Sequence, residues 1–127
     1  MRRVLFALLF LSLLACKGDS VEPDNGYGDI SIRIWNGTNW EMTDVFVDTS
    51  GGENDFGKIE ANRRSNYKHF TSAYRYAFVS FKIDGKPYLI QPIDYVGEIP
   101  LEKGRYTYKI NIDNLNSVYA TLEFIED

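Results

Sequence analysis

At 127 residues, with 44% apolar and 25% charged side chains, the chain has the length and composition of one globular domain rather than a disordered or collagenous protein. Its net charge of −4 offers no basic footprint for nucleic acid, so no nucleic-acid partner is expected. The 15% aromatic content, with 9 Tyr and 8 Phe, favours strands, because aromatic side chains suit a pleated, half-buried surface.

The first element in chain order is a leader. Arg2 and Arg3 precede an apolar run from Val4 to Leu14, and small Ala15 stands directly before Cys16, the single cysteine. As a helix the run would reach only about 16 Å, against the ~30 Å hydrocarbon core of a bilayer, too short to span it. Leu13-Leu14-Ala15-Cys16 resembles the bacterial lipobox, with Leu at −3 and Ala at −1, although Leu at −2 departs from the commonest choice. The resemblance implies a signal peptide over residues 1–15, a lipidated Cys16, and a cell-envelope location, the outer membrane for preference, with the membrane as partner through the anchor. An ordinary secretory signal with an incidental cysteine is the alternative. One acyl chain anchors a protein only marginally, whereas the several chains of a lipoprotein would hold it permanently.

Residues 16–28 read as a tether. "KGDSVEPDNGYG" has one strong apolar residue before Tyr27, among Pro, Gly and charges, and as a flexible coil would span about 18 Å.

From residue 29 to 127 the dominant period is two. Ile30, Ile32 and Ile34 alternate with Ser31 and Arg33. Val45 and Val47 share a face opposite Phe46. In "SAYRYAFVSFKI" Ala77, Val79, Phe81 and Ile83 share one face and Tyr76, Phe78 and Ser80 the other. Asp84-Gly85 suits a tight hairpin turn. Tyr106, Tyr108, Ile110 and Ile112 then alternate with polar residues, and after "DNLNS" a last strand carrying Ala120, Leu122 and Phe124 pairs back. Seven or eight short strands predict an all-β domain, a single antiparallel two-sheet β-sandwich.

"FGKIEANRRSNYKHF", "AYRYAFVSFKIDGKPYLIQPIDYVGE" and "LEKGRYTYKI" resemble the small β-sandwich lipoproteins of Bacteroidota-type bacteria, a likeness covering nearly all of the mature chain. "PLEKGRYTYKI" also resembles the last-strand signature of immunoglobulin-like and transthyretin-like modules. These resemblances imply a fold and a location but no activity. Asp19-Ser20-Val21 resembles the short acceptor pattern for O-glycosylation in such bacteria, which implies Ser20 as a modification site on the exposed tether. Asn36-Gly37-Thr38 looks like an N-glycosylation sequon, but Asn-Gly there reads better as a strand-end turn.

Few residues offer chemistry. His69 is the only histidine, so this chain alone builds no histidine metal site, and neither a serine elbow nor a phosphate loop occurs. Asp94 and Glu98 lie four apart and would supply paired carboxylates if the fold faced them, but a solvated loop is the plainer reading. Asp48–Gly57 reads as an acidic, glycine-rich loop offering Asp48, Glu53 and Asp55, with spacing unlike an EF-hand. Trp35, Trp40, Tyr67, Tyr74, Tyr76, Tyr88 and Tyr95 are the aromatics from which an exposed sugar or peptide platform could be built, with Trp35, Trp40 and Tyr95 the candidate ligand-binding residues; alternation with Ile34 turns Trp35 away from the core. The expectation is a non-catalytic binding or structural accessory module at the cell envelope, without cofactor or metal, meeting a glycan or protein partner. The alternative is a carbohydrate-binding or carbohydrate-active surface protein using exposed aromatics and loop carboxylates, and a third reading is an inhibitor or adhesin displaying a Trp35–Trp40 loop.

Overall fold

The computed structural model describes residues 30–92 and 98–127, through which eight strands run. They are β1 (Ile30–Asn36), β2 (Met42–Asp48), β3 (Glu53–Ile59), β4 (Lys68–Phe70), β5 (Phe78–Ile83), β6 (Lys86–Ile90), β7 (Gly104–Ile112) and β8 (Ala120–Glu126). A first sheet has the order β4-β1-β7-β8 and a second the order β3-β2-β5-β6. Their facing sides enclose one core, so the chain is an all-β two-sheet sandwich.

The two-residue alternation is what buries that core. Ile30, Ile32 and Ile34 of β1 and Tyr106, Tyr108 and Ile110 of β7 meet Val45, Val47, Val79, Phe81 and Ile83 from the second sheet, all buried. Aromatic pairs reinforce it: Phe81 stacks on Tyr88 at 5.5 Å and Tyr106 on Phe124 at 5.4 Å between centroids. Such pairs add about 0.5–1.5 kcal/mol beyond the area they bury. The Tyr108 hydroxyl, inside the core, donates to the Tyr74 carbonyl at 2.6 Å, so its polar tip is satisfied.

Strict alternation fails in the paired strands β2 and β3, and the structure shows why it can. Met42 and Val45 are both buried although three residues apart. Asp44, at φ 50°, is an extra residue relative to both neighbours of β2, and one further residue in β3 restores the register beside Gly57, at φ 67°. Each bulge slips the chain by one position and returns the next apolar residue to the core. Asp84 and Gly85, both at positive φ, make the expected hairpin turn between β5 and β6.

Three details differ from the expected pattern. The β1–β7 pair is parallel, whereas an all-antiparallel sandwich was expected. β7 enters the first sheet after the connection from β6 in the second, not through a hairpin, so nothing forces it to run against β1. In "SAYRYAFVSFKI" only Phe78–Ile83 is strand; before it, the Ala73 and Tyr74 carbonyls accept from Leu101 N and the Tyr108 hydroxyl. The acidic "loop" 48–57 is mostly strand: Glu53 and Asp55 pair with Asp48 and Phe46, and the turn is confined to 49–52.

The registers put Asn36, the β5–β6 turn and the β7–β8 connection at one end of the sandwich, with Ile30 at the other. At the first end Asn36 is fully buried. Its Nδ2 donates to the carbonyls of Trp40 (2.7 Å) and Ile59 (3.0 Å), and its Oδ1 accepts from Thr38 N (2.9 Å) and Thr38 Oγ1 (2.7 Å). The sequon-like triplet is therefore a strand-end structural knot, as the Asn-Gly turn reading expects. At Gly37 the chain passes close to β7: a Cβ would sit 2.7 Å from Asn111 Oδ1 and 2.9 Å from Lys109 Cε, so a larger residue would move those two side-chain ends.

Candidate functional site

With Ile30, Ile32 and Ile34 committed to the core, Ser31, Arg33 and Trp35 point from β1 to the outer face of the first sheet. The parallel register sets Arg105, Thr107 and Lys109 of β7 directly beside them. On the other flank, the chain entering β4 lies along β1: Ser65 N donates to the Ile34 carbonyl at 2.8 Å, and Arg64 bridges to Trp35. Neighbouring strands thus bring four cations onto one face around two aromatic rings.

Arg64 lies 3.8 Å and Lys109 4.2 Å from the Trp35 ring centroid. Arg33 lies 4.8 Å and Arg105 4.7 Å from that of Tyr67. Each cation–π contact is worth about 0.5–1 kcal/mol at an exposed site and more when desolvated. Below Tyr67 sits a polar network. Asp127 Oδ2 accepts from the Tyr67 hydroxyl at 2.6 Å and from Thr107 Oγ1 at 2.7 Å. Arg33 Nε donates to Thr107 Oγ1 at 3.0 Å and lies 3.6 Å from the same carboxylate oxygen. Thr107 points outward yet is only 1% exposed, because this network covers it.

The network fixes protonation states. Burial pushes the Asp127 carboxyl up, but hydrogen bonds from Tyr67 and Thr107 and the charges of Arg33 and Arg105 outweigh it and hold the group below its ordinary value. The Tyr67 hydroxyl is raised, first by its hydrogen bond to Asp127 and then by burial, so it stays a donor.

The two tryptophans do not share a loop. Trp35 is a strand residue, half-buried between cations on the sheet face, and Trp40 is in the β1–β2 connection, 41% exposed. The Trp40 backbone is held by Thr38, whose Oγ1 accepts from Trp40 N at 3.1 Å. A Trp35–Trp40 display loop is thereby corrected, because the alternation that buries Ile34 fixes Trp35 in β1. Cys16, Ser20, Asp94 and Tyr95 lie outside the described residues. Glu98 is half-buried, and exposed His69 sits on β4 opposite Ser31. Among the described residues no three His, Cys, Asp or Glu side chains gather as a metal site.

A second feature occupies the outer face of the second sheet. Phe46 and Phe78 meet edge to face at 6.3 Å, and with Asp48, Ser50, Glu53, Gln91 and Pro92 they line an open depression of about 380 Å³. Asp48 stands opposite Glu53 in register, and Asp48 Oδ1 accepts from Ser50 N at 2.8 Å.

Sequence reasoning missed Arg33, Arg64, Arg105, Lys109 and Asp127, and named Tyr67 only as one aromatic among several. Alternation already assigns Arg33 and Lys109 to non-core faces, but only the β1–β7 pairing and the course of residues 62–67 bring these side chains together. No protein-family model and no curated protein matches the chain. Among solved structures it is similar to a protein from Eubacterium rectale determined by NMR, with a TM-score of 0.56 and 15% identity over 80% of this chain and 94% of that one, a likeness of fold alone.

Proposed function

We propose that this chain is a lipid-anchored cell-envelope protein whose sandwich is a non-catalytic binding module working through the outer face of the first sheet. One observation carries the binding role: Trp35 and Tyr67, each flanked by two cations, form one ordered face on a chain of net charge −4. Aromatic rings and guanidinium groups held in place before binding lose little freedom when a ligand arrives, which favours recognition. The anchor rests on Leu13-Leu14-Ala15-Cys16 and its resemblance to the lipobox. Such an anchor and the tether would keep this face within tens of ångströms of the membrane.

Two measurements test the proposal. Cys16→Ser should abolish palmitate labelling and release the protein from membranes; continued labelling refutes the anchor. The Cys16→Ser protein, isotopically labelled and titrated with polysaccharide extracted from the envelope of its host, should show amide shifts concentrated on β1 and β7. Shifts confined to other strands, or none, refute the binding face.

The Phe46–Phe78 depression favours a second reading, a sugar site in which Asp48, Glu53 and Gln91 meet hydroxyl groups. In the same titration it would move β2 and β5 instead, and Asp48→Asn with Glu53→Gln would remove the effect.

A further inference from the structure

Resting on the binding face just proposed, we infer that its ligand is an acidic oligosaccharide, a sugar chain bearing a few carboxylate or sulfate groups. The first argument is charge number. Arg33, Arg64, Arg105 and Lys109 share the face with Glu123, which stands opposite Lys109 in register, and Asp127. The Asp127 carboxylate already takes the Tyr67 and Thr107 hydroxyls and the charge of Arg33. A small surplus of positive charge remains, spread over the face. A single-stranded nucleic acid, with one charge every few ångströms, carries more negative charge than this surplus balances, and the rest of the chain is acidic.

The second argument is spacing. A lone phosphate calls for cations converging on one point, but here each pair of cations is gathered around an aromatic ring. Arg105 and Lys109, four residues apart on β7, are separated by about 13 Å along the strand. That arrangement suits separate negative groups on an extended chain.

The third argument is what lies between the charges. Trp35 and Tyr67, half-buried and each flanked by two cations, set aromatic rings between the charges. Ser31, Asn111 and Thr121, which the registers place on the same face, supply polar groups for hydroxyls. An acidic peptide would use the cations but has no comparable need for hydroxyl partners or for rings set between the charges. The face is also the broad side of the sheet and not its edge, so strand addition by a peptide is not available there.

The test uses the full mature chain with Cys16→Ser and defined probes: hexamers of galacturonic acid, a sulfated dextran oligomer, neutral dextran hexamer, hexaglutamate and a thymidine hexanucleotide. Trp fluorescence and amide shifts report binding. At least one of the two acidic saccharides should bind on β1 and β7, about fivefold more weakly when salt rises from 50 to 200 mM. Arg64→Gln with Lys109→Gln should weaken it at least about tenfold, while Lys82→Gln on the opposite sheet leaves it unchanged. Circular dichroism of each variant separates lost binding from lost folding, and the single variant Lys109→Gln, expected at about threefold, serves if the double variant does not fold. Equal binding of neutral dextran at β1 and β7 overturns the acidic assignment while leaving the binding face intact. Tighter binding of hexaglutamate or the hexanucleotide overturns the saccharide class. Failure of both acidic saccharides to bind overturns the inference, and so does undiminished binding by the folded double variant.

Discussion

Asn36→Ala tests the reasoning about the buried strand-end knot most sharply. The substitution removes two donors, to the Trp40 and Ile59 carbonyls, and the acceptor of Thr38 N and Thr38 Oγ1. Not all of these groups are stranded. Thr38 Oγ1 already lies 3.0 Å from the Trp40 carbonyl, so that hydroxyl and carbonyl can serve each other. Thr38 N and the Ile59 carbonyl lose the partner that Asn36 gave them, and groups left unsatisfied in a buried site cost about 1–3 kcal/mol each. The expected loss is therefore about 3–4 kcal/mol, a large fraction of the 5–15 kcal/mol typical of a domain. Urea unfolding followed by tryptophan fluorescence should show the midpoint falling by about 2 M, with an unchanged slope, for a slope near 1.5 kcal/mol/M. Asn36→Asp keeps the acceptor but brings a charge into a site that is 0% exposed, so it should be destabilised too, and less so in acid, where the carboxyl is neutral. A shift below about 1 kcal/mol for Asn36→Ala would mean that water replaces the side chain, and the knot would not be structural.

The Asp127 network predicts a pH dependence. A carboxyl held below its ordinary value stabilises the fold fully above that value and loses its contribution as pH falls through its own lowered pKa, so stability should decline below about pH 4. Asp127→Asn should flatten that part of the curve, and an unaltered acid limb in urea titrations would show the network to be energetically silent. The tryptophans should separate in melting experiments. Trp35→Ala removes both stacked cation contacts and should cost about 1–2 kcal/mol, whereas Trp40→Ala, at an exposed position, should cost less than about 1 kcal/mol; the reverse order would contradict the assignment of Trp35 to the sheet face.

Much of the sandwich is legible residue by residue because a strand's side chains alternate with a fixed period. Ile30-Ile32-Ile34, Val79-Phe81-Ile83 and Tyr106-Tyr108-Ile110 all read as core from the sequence, and Asp84-Gly85 reads as a turn because few residues accept positive φ. That alternation also set Trp35 outward. Local pattern does not encode which strand lies beside which. The parallel β1–β7 register, the paired bulges around Asp44 and Gly57, and the strand formed by Glu53 and Asp55 all depend on partners distant in the chain. The candidate face depends on them most. Arg64 and Lys109 stand 29 and 74 positions from Trp35 in the sequence yet share one row with it, because hydrogen-bonded strands lie about 4.8 Å apart however long the chain between them. Period two tells each side chain which way to point, and only sheet pairing decides what it points beside.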